Sequence, residues 1–171
     1  VSIIRDYHDH PAYIEALAES VRAHWATHHR AGKLLLSYHG IPARYTLKGD
    51  PYRKQCEHTA ALLAEELGLS SDEWQVAFQS RFGPEPWLKP YTDKTLIAWG
   101  SNGTRDVQAM CPGFAIDCLE TTDEIGREGR KSFLEAGGQD FSYIPALNDS
   151  PGQVRLLTAL IREHIHEHAL A

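Results

Sequence analysis

Cysteine is scarce in this 171-residue sequence: three in all, an odd number, with none in a CxxC pair. That usage suits a reducing compartment better than a disulfide framework. Long hydrophobic runs are missing too. No apolar stretch approaches the ~18 residues a transmembrane helix needs, and no secretory signal is visible. Cationic charge does not dominate, because 17 Lys and Arg stand against 23 Asp and Glu, a net charge of -6. A nucleic-acid partner is therefore not favoured. There is no GxGxxG fingerprint, no Walker loop, no internal repeat and no low-complexity segment, so fold class alone brings no nucleotide with it. Together these absences lead us to expect a cytoplasmic protein. The length suits one domain with a sizeable core. The sequence opens at Val1 in a polar segment, which reads as the second half of a longer protein.

What is present centres on Cys111-Pro-Gly-Phe-Ala-Ile-Asp-Cys-Leu-Glu120 and its continuation to Glu128. The apolar run Val107 to Met110 is short enough for a buried strand, and Pro112 with Gly113 ends it. Asp117 reads as an N-cap with Glu120 at capping-box spacing. A helix from Asp117 to about Ala136, stopped by Gly137-Gly138, would stack Glu120, Glu124 and Glu128 along one face at i, i+4, i+8. Like charges so spaced repel by a few tenths of a kcal/mol per pair. The bland reading is a solvated acidic face. The sharper one is a row of carboxylates leading cations or protons to a site at the C-terminal end of a strand.

The remaining elements alternate. Pro11 to about His29 has helical apolar spacing, with Asp9 or His10 at its start. His8 and His10 are candidate metal ligands or simply solvated. Leu34 to Leu36 reads as a strand buried on both faces, and His39 stands at its C-terminal end, where Gly40 and Pro42 turn the chain. A histidine there suits proton transfer or metal ligation, or serves as a turn residue bonded to backbone. A second helix runs from about Pro51 to Leu67, followed by a strand from Trp74 to Ser80. Next comes a proline-rich loop carrying Trp87, which is either packed under the loop or presented to a flat ligand. Asp93 caps a short helix, Lys94 to Trp99. Phe141 to Leu147 is the fourth strand. The last helix opens at Ser150-Pro151 with Val154, Leu157, Leu160 and Ile161 facing inward, and ends with His164 and His168 at i, i+4. Four strands alternating with helices predict an α/β fold, a four-stranded parallel sheet with helices on both faces.

Three motifs, in this order, carry a resemblance: Ser37-Tyr-His39-Gly-Ile-Pro42, Phe78-Gln-Ser-Arg-Phe-Gly-Pro-Glu-Pro-Trp87-Leu-Lys-Pro90, and Pro112-Gly-Phe-Ala-Ile-Asp-Cys-Leu-Glu120 with Glu124 beyond. They resemble the C-terminal half of ferrochelatase, and the likeness covers essentially the whole chain. It implies a Rossmann-like, chelatase-type lobe, residues 1–171, of a bilobal enzyme that inserts ferrous iron into protoporphyrin IX. It implies His39 as the active-site histidine, Glu120 as the active-site glutamate, Glu124 and Glu128 on the acidic line of the same helix, and Trp87 near the porphyrin. His39 and Glu120 are thus the catalytic candidates, and His39, Glu120, Glu124 and Glu128 the metal-ligating ones. Many relatives have His where this chain has Cys118. Some relatives carry an iron–sulfur cluster on four cysteines; with three, no cluster and no permanently bound cofactor is expected here. The missing N-terminal lobe is an expected partner, and peripheral membrane association is left open. The isolated chain is expected to be inactive or nearly so.

The chemistry wants these residue types. Metal insertion removes two pyrrolic protons and strips water from a ferrous ion. A base of moderate pKa meets the first need. Oxygen ligands that bind the hydrated ion and release it meet the second. Either His39 or Glu120 can take the protons. A flat macrocycle needs aromatic walls, and Trp87 supplies one. The competing readings are a chelatase for another tetrapyrrole or for cobalt, and a non-catalytic metal- or haem-carrying module using the terminal histidines.

Overall fold

The computed structural model describes residues 3–169, and side chains as far as residue 165. Four strands form one all-parallel sheet in the order β2-β1-β3-β4: β1 (Lys33–His39), β2 (Trp74–Gln79), β3 (Asp106–Met110) and β4 (Asp140–Ile144). Helices cover both faces, so the α/β expectation holds.

β1 is central, and its apolar run is buried on both sides as the unbroken Leu34-Leu35-Leu36 requires. Side chains alternate along a strand. Leu34, Leu36 and Tyr38 join a core with α1 (Pro11–Thr27), α3 (Tyr52–Leu67) and α6 (Pro151–Ala169). Leu35 joins the opposite core with Leu96 of α4 (Thr92–Ser101), Ile125 and Phe133. His39 shares the parity of Leu35 and Ser37, so the pleat turns it toward the second face. Leu35, Leu36, Leu96 and Phe133 are fully buried, and each such side chain contributes about 1.5–3 kcal/mol by leaving water.

Several boundaries differ from expectation for physical reasons. A short α2 (Ala43–Leu47) occupies what reads as a polar loop. α4 starts at Thr92, and Asp93 lies in its first turn instead of capping it, pairing with Arg81 at 3.0 and 2.8 Å. β4 stops at Ile144, and the backbone N–H of Ala146 turns away to donate to Asp117. On α6, Leu160 is buried as expected, but Val154, Leu157 and Ile161 are exposed and Leu156 takes the core position. The reason is Gly152: a Cβ there would sit 2.9 Å from that of Ala16, so α1 can approach only this side of the helix. The apolar positions of α6 form two stripes, and this close approach selects one.

The largest correction concerns the acidic helix. It is a π-helix over Leu119–Gly129, and only then an α-helix, α5 (Arg130–Glu135). Its N-cap is Cys118, not Asp117, and the backbone N–H of Cys118 donates to Thr121 Oγ1 at 2.9 Å, so Glu120 is not the capping-box partner. Core-facing Thr121, Ile125 and Gly129 recur every four residues, longer than the 3.6-residue α turn. The wider i→i+5 winding accommodates that interval.

Candidate active site

The candidate site forms at the C-terminal edge of the sheet, where parallel α/β sheets collect ligands. His39 ends β1, opposite Gln79 at the end of β2. Its Nδ1 lies 2.7 Å from the carbonyl of Gly40. A carbonyl only accepts, so Nδ1 carries the proton and Nε2 is the basic nitrogen. The backbone carbonyl of His39 accepts from Tyr52 Oη at 2.9 Å, and Phe114 lies 6.3 Å away, ring to ring. Gly40 is dictated by crowding. A Cβ there would stand 2.8 Å from the carbonyl oxygen of Gln79 and 3.2 Å from the Trp87 ring.

Trp87 is half-buried against this turn. Its indole N–H donates to the carbonyl of Phe82 at 2.8 Å, and its backbone pairs antiparallel with Pro42. The loop therefore folds back over the end of β1, bringing the Trp87 ring against Gly40, the residue after His39.

Glu120 opens the π-helix and is exposed. Its carboxyl is held below the usual range, first by a hydrogen bond from the Cys118 side chain, then by its own backbone N–H, with His39 adding a favourable charge interaction. Glu124, one winding further, is half-buried and accepts from the backbone N–H of Ser80 at 2.7 Å and from its hydroxyl at 2.5 Å. Those two bonds hold Ser80 at a positive φ of 60°, an uncommon conformation for a residue with a side chain. Glu124 and Glu128 line a cavity of about 380 Å³ together with Arg81, Asp93 and Ser132. The acidic row therefore begins beside His39 and leads into a polar cavity between α4 and the π-helix.

Two residues that support the site escaped the sequence reading. Gln79 is buried, and its amide joins the elements. Its Oε1 accepts from Ser37 Oγ at 2.6 Å, and its Nε2 donates to the backbone carbonyl of Glu120 at 2.5 Å. The head of the acidic helix is thereby tied to the end of β2. Asp117, read as a cap, is a hub. It accepts from Tyr143 Oη at 2.8 Å, Asn148 Nδ2 at 2.8 Å, Thr121 Oγ1 at 3.0 Å and the N–H of Ala146 at 3.2 Å. Burial pushes its pKa up, and these donors outweigh that and hold it below the usual carboxylate range. Nothing local separates Gln79, which ends a strand that also carries Gln75, from an exposed polar residue, and Asp117 offered no signal that separates it from a cap.

Of the other candidates, His10 is the N-cap of α1, accepting from the N–H of Ala12 at 3.1 Å and lying 3.1 Å from Glu163. The His164–His168 pair falls partly outside the described residues, because the side chain of His168 lies beyond them. All three cysteines are free thiols. Among the described residues no helix is long and apolar enough to cross a membrane.

The family model described as Ferrochelatase matches residues 1–165. The chain is 55% identical over 163 residues to a ferrochelatase of Nitrosococcus oceani, covering 95% of this chain and 44% of that protein. It is 52% identical to one of Marinobacter nauticus, with the same two shares. A third, from Aeromonas hydrophila, is 54% identical, covering 94% of this chain and 50% of that protein. The chain thus spans about half the length of the curated relatives it matches. With its sheet edge carrying His39, Trp87 and an acidic helix, and a family match over 165 of its residues, this chain belongs to the ferrochelatase family.

Proposed function

We propose that this chain is the C-terminal lobe of a ferrochelatase, acting with an N-terminal lobe to insert ferrous iron into protoporphyrin IX and so make protohaem. The observation that carries this is the placing of His39, its Nδ1 bonded to the Gly40 carbonyl, and of Glu120, tied to the end of β2 by Gln79, on one sheet edge at the head of an acidic row. His39 and Glu120 are the proposed catalytic groups, and His39, Glu120, Glu124 and Glu128 the proposed metal ligands.

In this reading the porphyrin lies against the β1 turn, with Trp87 as an aromatic wall. Two pyrrolic N–H bonds break as the ferrous ion is taken up by the four ring nitrogens, and of the two protons released one passes to His39 and the other to water. His39 Nε2 accepts a proton because Nδ1–H is already committed to Gly40. Glu120 stays ionised, favoured by Cys118 and by the imidazolium that forms next to it. The ferrous ion is substrate, and its waters are exchanged for the carboxylates of Glu128, Glu124 and Glu120 in turn. No resident cofactor is required. Proposed with this are a cytoplasmic location and peripheral membrane contact to receive an apolar porphyrin.

The test is steady-state metal insertion in an enzyme of the relatives' full length that carries this chain as its second half. His39→Ala should lower turnover at least ~10²-fold, as expected for loss of a proton-transfer group, and Glu120→Gln at least ~10²-fold by removing the fixed charge that stabilises the imidazolium. The double variant should be little worse than the poorer single one, because groups acting together are not additive. Near-normal turnover of His39→Ala, or loss explained by a collapsed thermal melt, would remove the assignment.

A further inference from the structure

We propose that His8, Asp9 and His58 form a divalent transition-metal site of the zinc class, separate from the candidate active site. One donor atom from each of the three lies within 4.8 Å of the others. The two histidines come from different elements: His8 from the turn before α1, His58 from the exposed side of α3. The turn is fastened to that helix by Thr59, whose hydroxyl donates to the carbonyl of His8 at 2.6 Å.

The geometry between the rings points to a shared ion. His8 Nε2 and His58 Nδ1 are 3.3 Å apart. Two imidazole nitrogens each ~2.0–2.1 Å from a tetrahedral zinc are separated by about 3.3–3.4 Å. The rings tilt by 57° with centroids 5.4 Å apart, so they do not stack. The other side of His8 is already arranged: its Nδ1 lies 2.8 Å from Asp6 Oδ1. A carboxylate there accepts the Nδ1 proton, leaving the Nε2 lone pair directed at His58. That is the carboxylate–histidine–metal relay which fixes the tautomer and raises ligand basicity. Asp9 adds a hard oxygen, and two imidazoles with one carboxylate suit zinc, copper, nickel or ferrous iron. Three protein ligands leave one tetrahedral position open to water. His10, also adjacent in sequence, is excluded from the set because its ring is spent on the α1 cap and Glu163.

The experiment is zinc titration of this chain against a chromophoric chelator, in a background of His39→Ala, Glu120→Gln, Glu124→Gln and Glu128→Gln that removes the four candidate active-site ligands. One equivalent of zinc should remain bound. His8→Ala and His58→Ala should each abolish it, while Asp6→Asn should keep the stoichiometry and weaken affinity ~10–100-fold, as loss of an outer partner does. Cobalt(II) in place of zinc should give tetrahedral visible absorption that disappears in His58→Ala. Thermal melts of the metal-free variants should match the parent, since His58 is exposed on a helix. Zinc retained with parental affinity after both histidines are replaced, or no stoichiometric zinc in that background at all, would overturn the site. Neither result bears on the turnover test of His39 and Glu120.

Discussion

Asp117→Asn removes one negative charge and reverses one hydrogen-bonding atom at the start of the π-helix. In the native protein Oδ1 accepts from Tyr143, Thr121 and Ala146, and Oδ2 accepts from Asn148 Nδ2. An asparagine can keep its oxygen toward the first three, but its NH₂ then faces the NH₂ of Asn148. The three remaining bonds also lose their charge. Hydrogen bonds to a charged group are worth ~1.5–3 kcal/mol, so the substitution should cost about 2–3 kcal/mol at neutral pH. For a chain of this size each kcal/mol moves the melting temperature ~2–4 °C, so a fall of roughly 4–12 °C is expected. The pH dependence has a definite sign. Asp117 has its folded pKa lowered, so its stabilisation is complete above the unfolded value of ~3.9 and is lost as pH falls through the folded value. The gap between native and variant should therefore be full at pH 7 and narrow under acid conditions, where a protonated Asp117 is as neutral as the amide. Thermal unfolding followed by circular dichroism across that range is the assay. A variant that melts within about 1 °C of the native chain at pH 7, or a gap that does not change on acidification, would refute the role of Asp117 as a charged hub.

Gly40→Ala should destabilise by ~1–3 kcal/mol as overpacking, because the new methyl group meets the Gln79 backbone as well as the Trp87 ring; a melt equal to the parent would show that the turn can relax. In the full-length setting, Glu128→Gln should raise the apparent constant for iron and leave that for porphyrin unchanged, and the opposite pattern would sink the conduit reading. Glu124→Ala should differ from it by also lowering the melting temperature, since Glu124, unlike Glu128, accepts two bonds from Ser80. At ~1.5–3 kcal/mol for each charged bond, that loss is readily measured.

Much of this protein was decided by local pattern. The unbroken Leu34-Leu35-Leu36 run requires a strand covered on both faces, and alternation with amphipathic helices requires a parallel sheet; both need only neighbours in sequence and the periods of strand and helix. The position of His39 follows as well, since the residue that ends a parallel strand stands at the binding edge. What the sequence could not decide depends on partners far along the chain. The π winding of Leu119–Gly129 shows only as an interval of four among Thr121, Ile125 and Gly129, which a helix of either kind can carry until the core is in place. Asp117 has the local credentials of a cap, and only Tyr143, Ala146 and Asn148, brought back by β4, make it a hub. α6 bears two apolar stripes of similar strength, and the contact of Gly152 with Ala16 selects the buried one. Gln79, tying β1 and β2 to the backbone of Glu120, could be placed only by the tertiary structure. A buried amide has no preferred partner in sequence, and its hydrogen bonds go to whichever groups the fold brings within reach.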